Sequence, residues 1–239
     1  MCQPFVLLSA CLVLLGLLAG CEPFPRDPGE SLQHVHERGT LRVGVLYGPP
    51  WVMGGAPGAA GGVEGRLVRE FARRQEARLE TQWGSEQERF DSLRHHELDL
   101  IIGGLTTESP WHSEVGFTAP YYTGKVAIAV RQGEPIPDDA EGLTVWIPHG
   151  SHLYDELRRH GAEVKRVPEL SASTGAIAAR QWEIKGLGYQ ASDIVLQERH
   201  HVMAIPRGEN ALLMELERFL AEFVESHDMD RLIWETSRQ

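Results

Sequence analysis

Cysteine is scarce in this 239-residue chain, occurring only as Cys2, Cys11 and Cys21. A hydrophobic run long enough to cross a bilayer is missing too. The one apolar stretch, Phe5 to Ala19, carries no charged residue but is too short for a comfortable span. It reads as the core of a secretory signal, residues 1–20, although no Lys or Arg precedes it. Removing that segment takes Cys2 and Cys11 with it, so the exported chain keeps Cys21 alone and can form no internal disulfide. Stability must then come from an ordinary apolar core, for which the roughly 220 remaining residues suffice in one or two lobes.

Positive charge is also in short supply. The 23 Lys and Arg are outnumbered by 34 Asp and Glu, a formal net charge of -11 that argues against nucleic acid and against anionic lipid head groups as partners. Signatures of catalysis are absent: there is no H-E-x-x-H, no G-x-S-x-G and no distinguishable Ser/His/Asp grouping. Eleven histidines raise the question of a metal, with His149 and His152 three apart and His112 a possible third. The pairs His95-His96 and His200-His201, however, point apart on a helix or strand. Histidines that face solvent or form hydrogen bonds are the expectation, with no metal and no cofactor. No internal repeat appears.

What is present is an alternation of strand and helix patterns, which argues for α/β units with largely parallel sheets. Leu41 to Tyr47 reads as a strand, followed by the turn Gly48-Pro49-Pro50 that presents Trp51. Met53 to Gly62 is a Gly/Ala loop. Val63, Leu67 and Phe71 recur at helical spacing, with arginines and glutamates on the solvated faces. Ser85 and Glu88 form a capping-box pair for the next helix. Strands are expected at Leu100 to Ile102, Val126 to Val130, Leu143 to Ile147 and Val164 to Val167. Ser151 is a candidate cap for a helix bearing Leu153 and Leu157. Further on, a helix is expected near Thr174 to Arg180, turn plus strand over Trp182 to Tyr189, and a short helix over Ser192 to Glu198. A strand over His201 to Ile205 precedes a long amphipathic helix, Asn210 to Phe223.

The stretch Asp99 to Gly124, DLIIGGLTTESPWHSEVGFTAPYYTG, organises the rest. Its order resembles that of the bacterial extracellular solute-binding proteins of family three, D-l-i-i-a-G-x-T followed by F-S-x-P-Y-Y. Gly39 to Val45, Leu93 to Asp99 and Val202 to Gly208 also match that family's pattern, so the resemblance runs from about Gly39 to the C-terminus. Gly62 to Ala72 resembles most the branch joined to membrane-bound lytic transglycosylases. Leu18-Ala19-Gly20-Cys21 resembles a bacterial lipobox, which implies acylation of Cys21, with residues 21–30 as an extended tether.

The resemblance implies a two-lobed periplasmic-binding-protein-like fold of type II, each lobe a mainly parallel sheet flanked by helices. Lobe one would be residues 31–121 plus 204–239 and lobe two residues 125–198, with hinge crossings at 121–124 and 199–203. A ligand would sit at the strand ends between the lobes. Amino-acid binders of the family grip the carboxylate with an arginine, whose place here is taken by Trp111, and the amine with an aspartate, whose place the alignment gives to Gln190. The expected lining is therefore Trp51, Gly104, Thr106, Trp111, His149, Ser151, Tyr189 and Gln190. An ordinary α-amino acid does not suit it. Two alternatives stand: an uncharged, aromatic or cationic ligand held by stacking, or a degenerate cleft plugged by Trp111.

The implied role is a monomeric, non-catalytic binder on the periplasmic or extracytoplasmic face, serving ABC-type uptake or sensing with a transporter permease or other envelope protein as partner. The alternative is a degenerate-cleft interaction or sensory module that regulates an envelope partner such as a cell-wall enzyme.

Overall fold

A computed structural model of the protein describes residues 27–56, 59–171 and 175–239. The signal segment, Cys21 and the first part of the expected tether lie outside those residues. Residues 27–30 do not run free. Asp27 accepts hydrogen bonds from the backbone of Ala211 and Leu212, and Glu209 accepts from the Gly29 and Ser31 N–H groups at 2.7 and 3.0 Å.

The first sheet has the order β4-β1-β5-β12-β6, formed by Arg78–Trp83, Thr40–Val45, Leu100–Ile102, Ala204–Ile205 and Gly116–Phe117. β1 is parallel to β4 and β5, whereas β12 runs antiparallel to β5 and β6. Side chains alternate between two faces. Leu41, Val43, Val45, Leu100 and Ile102 meet one core, while Ile101 meets the other. Helices α1 (Ser31–Arg38), α2 (Gly62–Arg74), α6 (Asn210–Ser226) and α7 (Met229–Ser237) cover the first face, and α3 (Glu86–Arg94) covers the second with Phe90 and Leu93. Burial on both faces is why these strands read as unbroken apolar runs. At the head of α3, Ser85 and Glu88 exchange the two reciprocal bonds of a capping box. A small hairpin of β2 (Met53–Ala56) and β3 (Ala59–Gly61) replaces part of the expected loop.

The second sheet has the order β11-β7-β10-β8-β9, formed by Tyr189–His201, Tyr122–Arg131, Ile177–Arg180, Thr144–Pro148 and Glu163–Val167. It is mixed: β7 is antiparallel to β10 and β11, and β8 is parallel to β9 and β10. Helix α4 (Tyr154–Arg159) contributes Leu157 to the core on one face, and α5 (Gln181–Gly186) contributes Ile184 to the core on the other.

Three expectations change here. The segment ending at Arg180 is a strand instead of a helix, Gln181–Gly186 is a helix instead of turn and strand, and Ser192 to Glu198 belongs to the long strand β11. Alanine-rich IAAR favours helix locally. Between β7 and β8 the segment is held as a strand, with Ala178 buried in one core and Ile177 and Ala179 in the other. Tertiary packing overrides the local preference.

The chain passes between the sheets twice, side by side. β7 leaves and β11 returns, with Tyr122 opposite His201 and Thr123 opposite His200, and the Tyr121 N–H donates to the His201 carbonyl at 3.0 Å. A third connection is made by side chains. Trp182 of α5 lies in the first sheet's core with its ring 6.3 Å from Trp234, and Gln181 and Lys185 donate to Asp230 of α7.

Candidate functional site

Between the two sheets lies a cavity of about 480 Å³. Its walls are the turn after β1 (Gly48 to Trp51), the turn after β5 (Gly103, Gly104 and Thr106), the turn after β8 (Pro148 to Leu153), the end of β10 with the start of α5, and the crossing segments around Tyr122 to Val126 and Gln197 to His201. Four strand C-termini converge on it, where open α/β sheets leave room for ligands.

Trp51 forms its aromatic floor. The indole is 8% exposed, with ring centroids 3.9 Å from His201, 5.4 Å from Tyr122 and 6.1 Å from Tyr121. The backbone beside it must be glycine: Gly104 has φ 70°, and a Cβ there would lie 2.6 Å from the Trp51 ring. Beneath the floor, fully buried Glu64 accepts from the Gly103 and Gly104 N–H groups at 2.7 and 2.9 Å and from the Tyr121 hydroxyl. Burial pushes its carboxyl above the usual range, against the pull of those three donors. The two glycine N–H groups are thereby committed to the protein's own carboxylate and not to a ligand. Sequence reading passed over Glu64, whose only signal is an acid within the apolar pattern of α2.

His201 is 8% exposed, and its Nδ1 has no partner among the described residues. Burial, with the nearby Arg199 charge, pushes its pKa down to about 4, so the ring is neutral near pH 7. The cavity lining is also charged: Lys125, Arg180 and Arg199 contribute to it together with a single carboxylate, Glu183.

Of the residues expected at the site, Trp51, Gly104, Thr106 and Ser151 line this cavity; Trp111, His149, Tyr189 and Gln190 do not. Trp111 lies in a short 3-10 turn, Pro110–Ser113, stacked on Phe90 at 4.7 Å with 5° between planes, its indole N–H donating to Glu86 at 2.8 Å. It lies outside the cavity lining and does not fill the cleft. Replacing Trp111 with alanine is expected to cost about 1–3 kcal/mol of stability through lost packing. In a denaturant melt paired with titration, ligand affinity should stay within about twofold.

Tyr189 is buried in the second lobe's core, with its hydroxyl on the Ser171 carbonyl. Gln190 donates to the Arg131 and Glu134 carbonyls at 3.2 and 2.7 Å, away from the cavity. His149 is exposed outside the lining. The strand that ends at the cleft is β10, and a helix, α5, stands where strand is expected, so the residue presented there is Arg180 in place of Gln190. Ser151 does not cap α4, which starts at Tyr154; its hydroxyl accepts from the Leu153 N–H at 3.3 Å.

Two α/β lobes with facing strand ends, joined by adjacent crossing strands and enclosing a cavity, define a two-lobed, type II periplasmic-binding-protein-like fold. Residues 41–235 match the bacterial extracellular solute-binding proteins, family 3, and the chain belongs to that family of extracytoplasmic proteins, whose small-molecule site lies between the lobes. Among solved structures it is similar to the L-cystine solute receptor of Neisseria gonorrhoeae in an unliganded open conformation, at TM-score 0.65 and 15% identity, covering 82% of this chain and 91% of that one. It is likewise similar to an ancestral cationic amino acid solute binding protein, at TM-score 0.61 and 17% identity over 86% of this chain and 98% of the other. Among curated proteins it is 27% identical over 176 residues to membrane-bound lytic murein transglycosylase F of Vibrio campbellii, which covers 73% of this chain and 33% of that protein. The chain thus spans about a third of the length of such relatives. No described helix is long and apolar enough to cross a membrane.

Proposed function

We propose that the protein is an exported binder, anchored through acylated Cys21, that captures a small molecule in this cleft for ABC-type uptake or sensing and catalyses no reaction itself. The observation that carries the reading is the open cavity of about 480 Å³ at the convergent strand ends, with Trp111 packed elsewhere. Its size suits a ligand of amino-acid to small-sugar dimensions. Residues 31–121 with 204–239, and residues 125–198, would move as the two lobes about the crossings at 121–124 and 199–203, closing over the ligand as hinged binding proteins do.

The Gly150 position offers a test. It lines the cleft, and a Cβ built on it meets nothing within 4 Å. Gly150→Tyr should therefore fill the cleft without straining the fold. Calorimetric titration against amino acids, short peptides and amino sugars should identify a ligand that binds the parent chain and binds the variant at least about tenfold more weakly. The melting temperatures should agree within about 2 °C. A ligand bound equally by both, or none from a broad panel, would remove the cleft from consideration.

A second reading is favoured by the transglycosylase relatives: the same cleft would act as a sensory module for a cell-wall enzyme. Co-purification with an inner-membrane permease supports the first reading, and co-purification with a murein hydrolase supports the second.

A further inference from the structure

We propose that the cleft selects a small organic anion, and that its carboxylate or phosphate head is received by Arg199 of the returning crossing and Arg180 at the end of β10, while the remainder lies against the Trp51 floor. This rests on the reading of the cleft as a ligand site and adds the ligand's polarity.

The charge distribution carries the inference. The chain as a whole is strongly acidic, at -11, yet the cavity is lined by Lys125, Arg180 and Arg199 against one carboxylate, Glu183. Local charge is therefore opposite in sign to the molecule's. Concave, low-dielectric walls concentrate the resulting potential on whatever enters.

The state of these cations matters as much as their number. Four arginines outside the cleft are held by carboxylates: Arg38 and Arg42 converge on Asp99, and Arg74 and Arg94 each meet a glutamate. Arg199 has no ion pair among the described residues. Arg180 forms an ion pair with Glu183 at 3.6 Å and lies over the Trp182 ring, and Lys125 pairs with Glu198 at 3.8 Å; both separations are longer than a hydrogen bond, so a ligand oxygen can compete for these donors. A guanidinium with free donors in a cleft suits a two-oxygen head, which it can hold through paired hydrogen bonds.

The rings of the lining present no negative charge to oppose this. Trp51, Tyr122 and His201 are neutral rings, and the Glu64 carboxylate beneath them is turned away into the Gly103–Gly104 backbone. The expectation of an uncharged, aromatic or cationic ligand counts Trp111, Tyr189 and Gln190 in the lining, and none of the three lines the cavity. A cation here would meet three positive side chains. The cleft therefore combines neutral rings with basic side chains, and the matching ligand has an apolar or ring-bearing body and an anionic end.

Four probes with one ring and different heads test this: phenylacetate, phenyl phosphate, benzyl alcohol and phenethylamine, titrated by calorimetry into the full exported domain. At least one anion should bind about tenfold or more tightly than the alcohol, with the amine weakest. The tighter of the two anions identifies the head group. Arg199→Ala and Arg180→Ala, both at exposed positions, should each weaken the preferred anion about tenfold without lowering the melting temperature. Arg218→Ala on α6 should leave its affinity unchanged. Raising salt should weaken the parent chain more than Arg199→Ala.

If the amine or alcohol binds as tightly as the anions and Gly150→Tyr blocks it, the polarity is overturned and the cleft stands. If an anion binds but neither arginine variant weakens it, the assignment to these residues fails. If neither anion binds at millimolar concentration, the inference fails outright, and the broad panel alone then decides whether the cleft binds anything.

Discussion

Glu64→Ala should lower stability by about 3–5 kcal/mol, because it leaves two buried N–H groups and a buried hydroxyl without their acceptor and opens a void beneath Trp51. For a domain of this size the loss corresponds to a fall in melting temperature of roughly 6–20 °C. Binding should suffer too, since the Gly103–Gly104 turn that carries the floor would lose its support. Glu64→Gln keeps a carbonyl acceptor and should cost less, about 1–3 kcal/mol. The pH dependence separates charge from packing. The folded-state pKa is raised, so between the ordinary glutamate value and the raised one the native chain holds a proton that the unfolded chain has released. This carboxyl's contribution to stability therefore declines as pH rises through that window and is level on either side. Denaturant midpoints taken at a series of pH values should show that slope in the parent and not in Glu64→Gln. An unchanged midpoint for Glu64→Ala would mean the turn holds itself.

Asp230→Ala is the second large effect. Asp230 is 5% exposed and accepts from Tyr122 at the crossing at 2.7 Å, from Gln181 at 2.9 Å and from Lys185, thereby tying α5 of the second lobe to α7 of the first. Burial pushes its pKa up, but the Lys185, Tyr122 and Gln181 hydrogen bonds outweigh that and leave it below the usual aspartate value. Burial together with Asp230 drives the Tyr122 hydroxyl far above its ordinary range. Removing the carboxylate should cost about 2–3 kcal/mol, a value held down because Lys185 is half exposed and can rehydrate. The stabilisation is present above the ordinary aspartate pKa and is lost as pH falls through the lower folded value, so parent and variant should converge in acid. Because the contact spans both lobes, Asp230→Ala should also change the radius of gyration of the ligand-free protein, measured by small-angle scattering. A variant as stable and as compact as the parent would show the contact to be incidental.

Much of this was legible locally. The strands β1 and β5, the capping box at Ser85 and the long helix α6 follow from short-range patterns that packing on two faces or one reinforces. Trp51, Gly104, Thr106 and Ser151 could be placed because each follows a strand whose end was readable. The β10–α5–β11 region could not, because alanine-rich and mixed polar segments there take their conformation from pairing with β7. An element read one place late carries its last residue to the wrong end of the lobe, as happened with Gln190.

From its residues alone, the chain determined the α/β class, the strands β1 and β5 and the long helix α6, because these depend on composition and on periodicities of two and three to four residues. Only the folded arrangement decided that Trp111 stacks on Phe90, that Glu64 lies under the floor, and that three cations line one cavity. Those facts depend on side chains brought together from distant segments, and the free energy of such contacts is set by burial and partners that no local window contains.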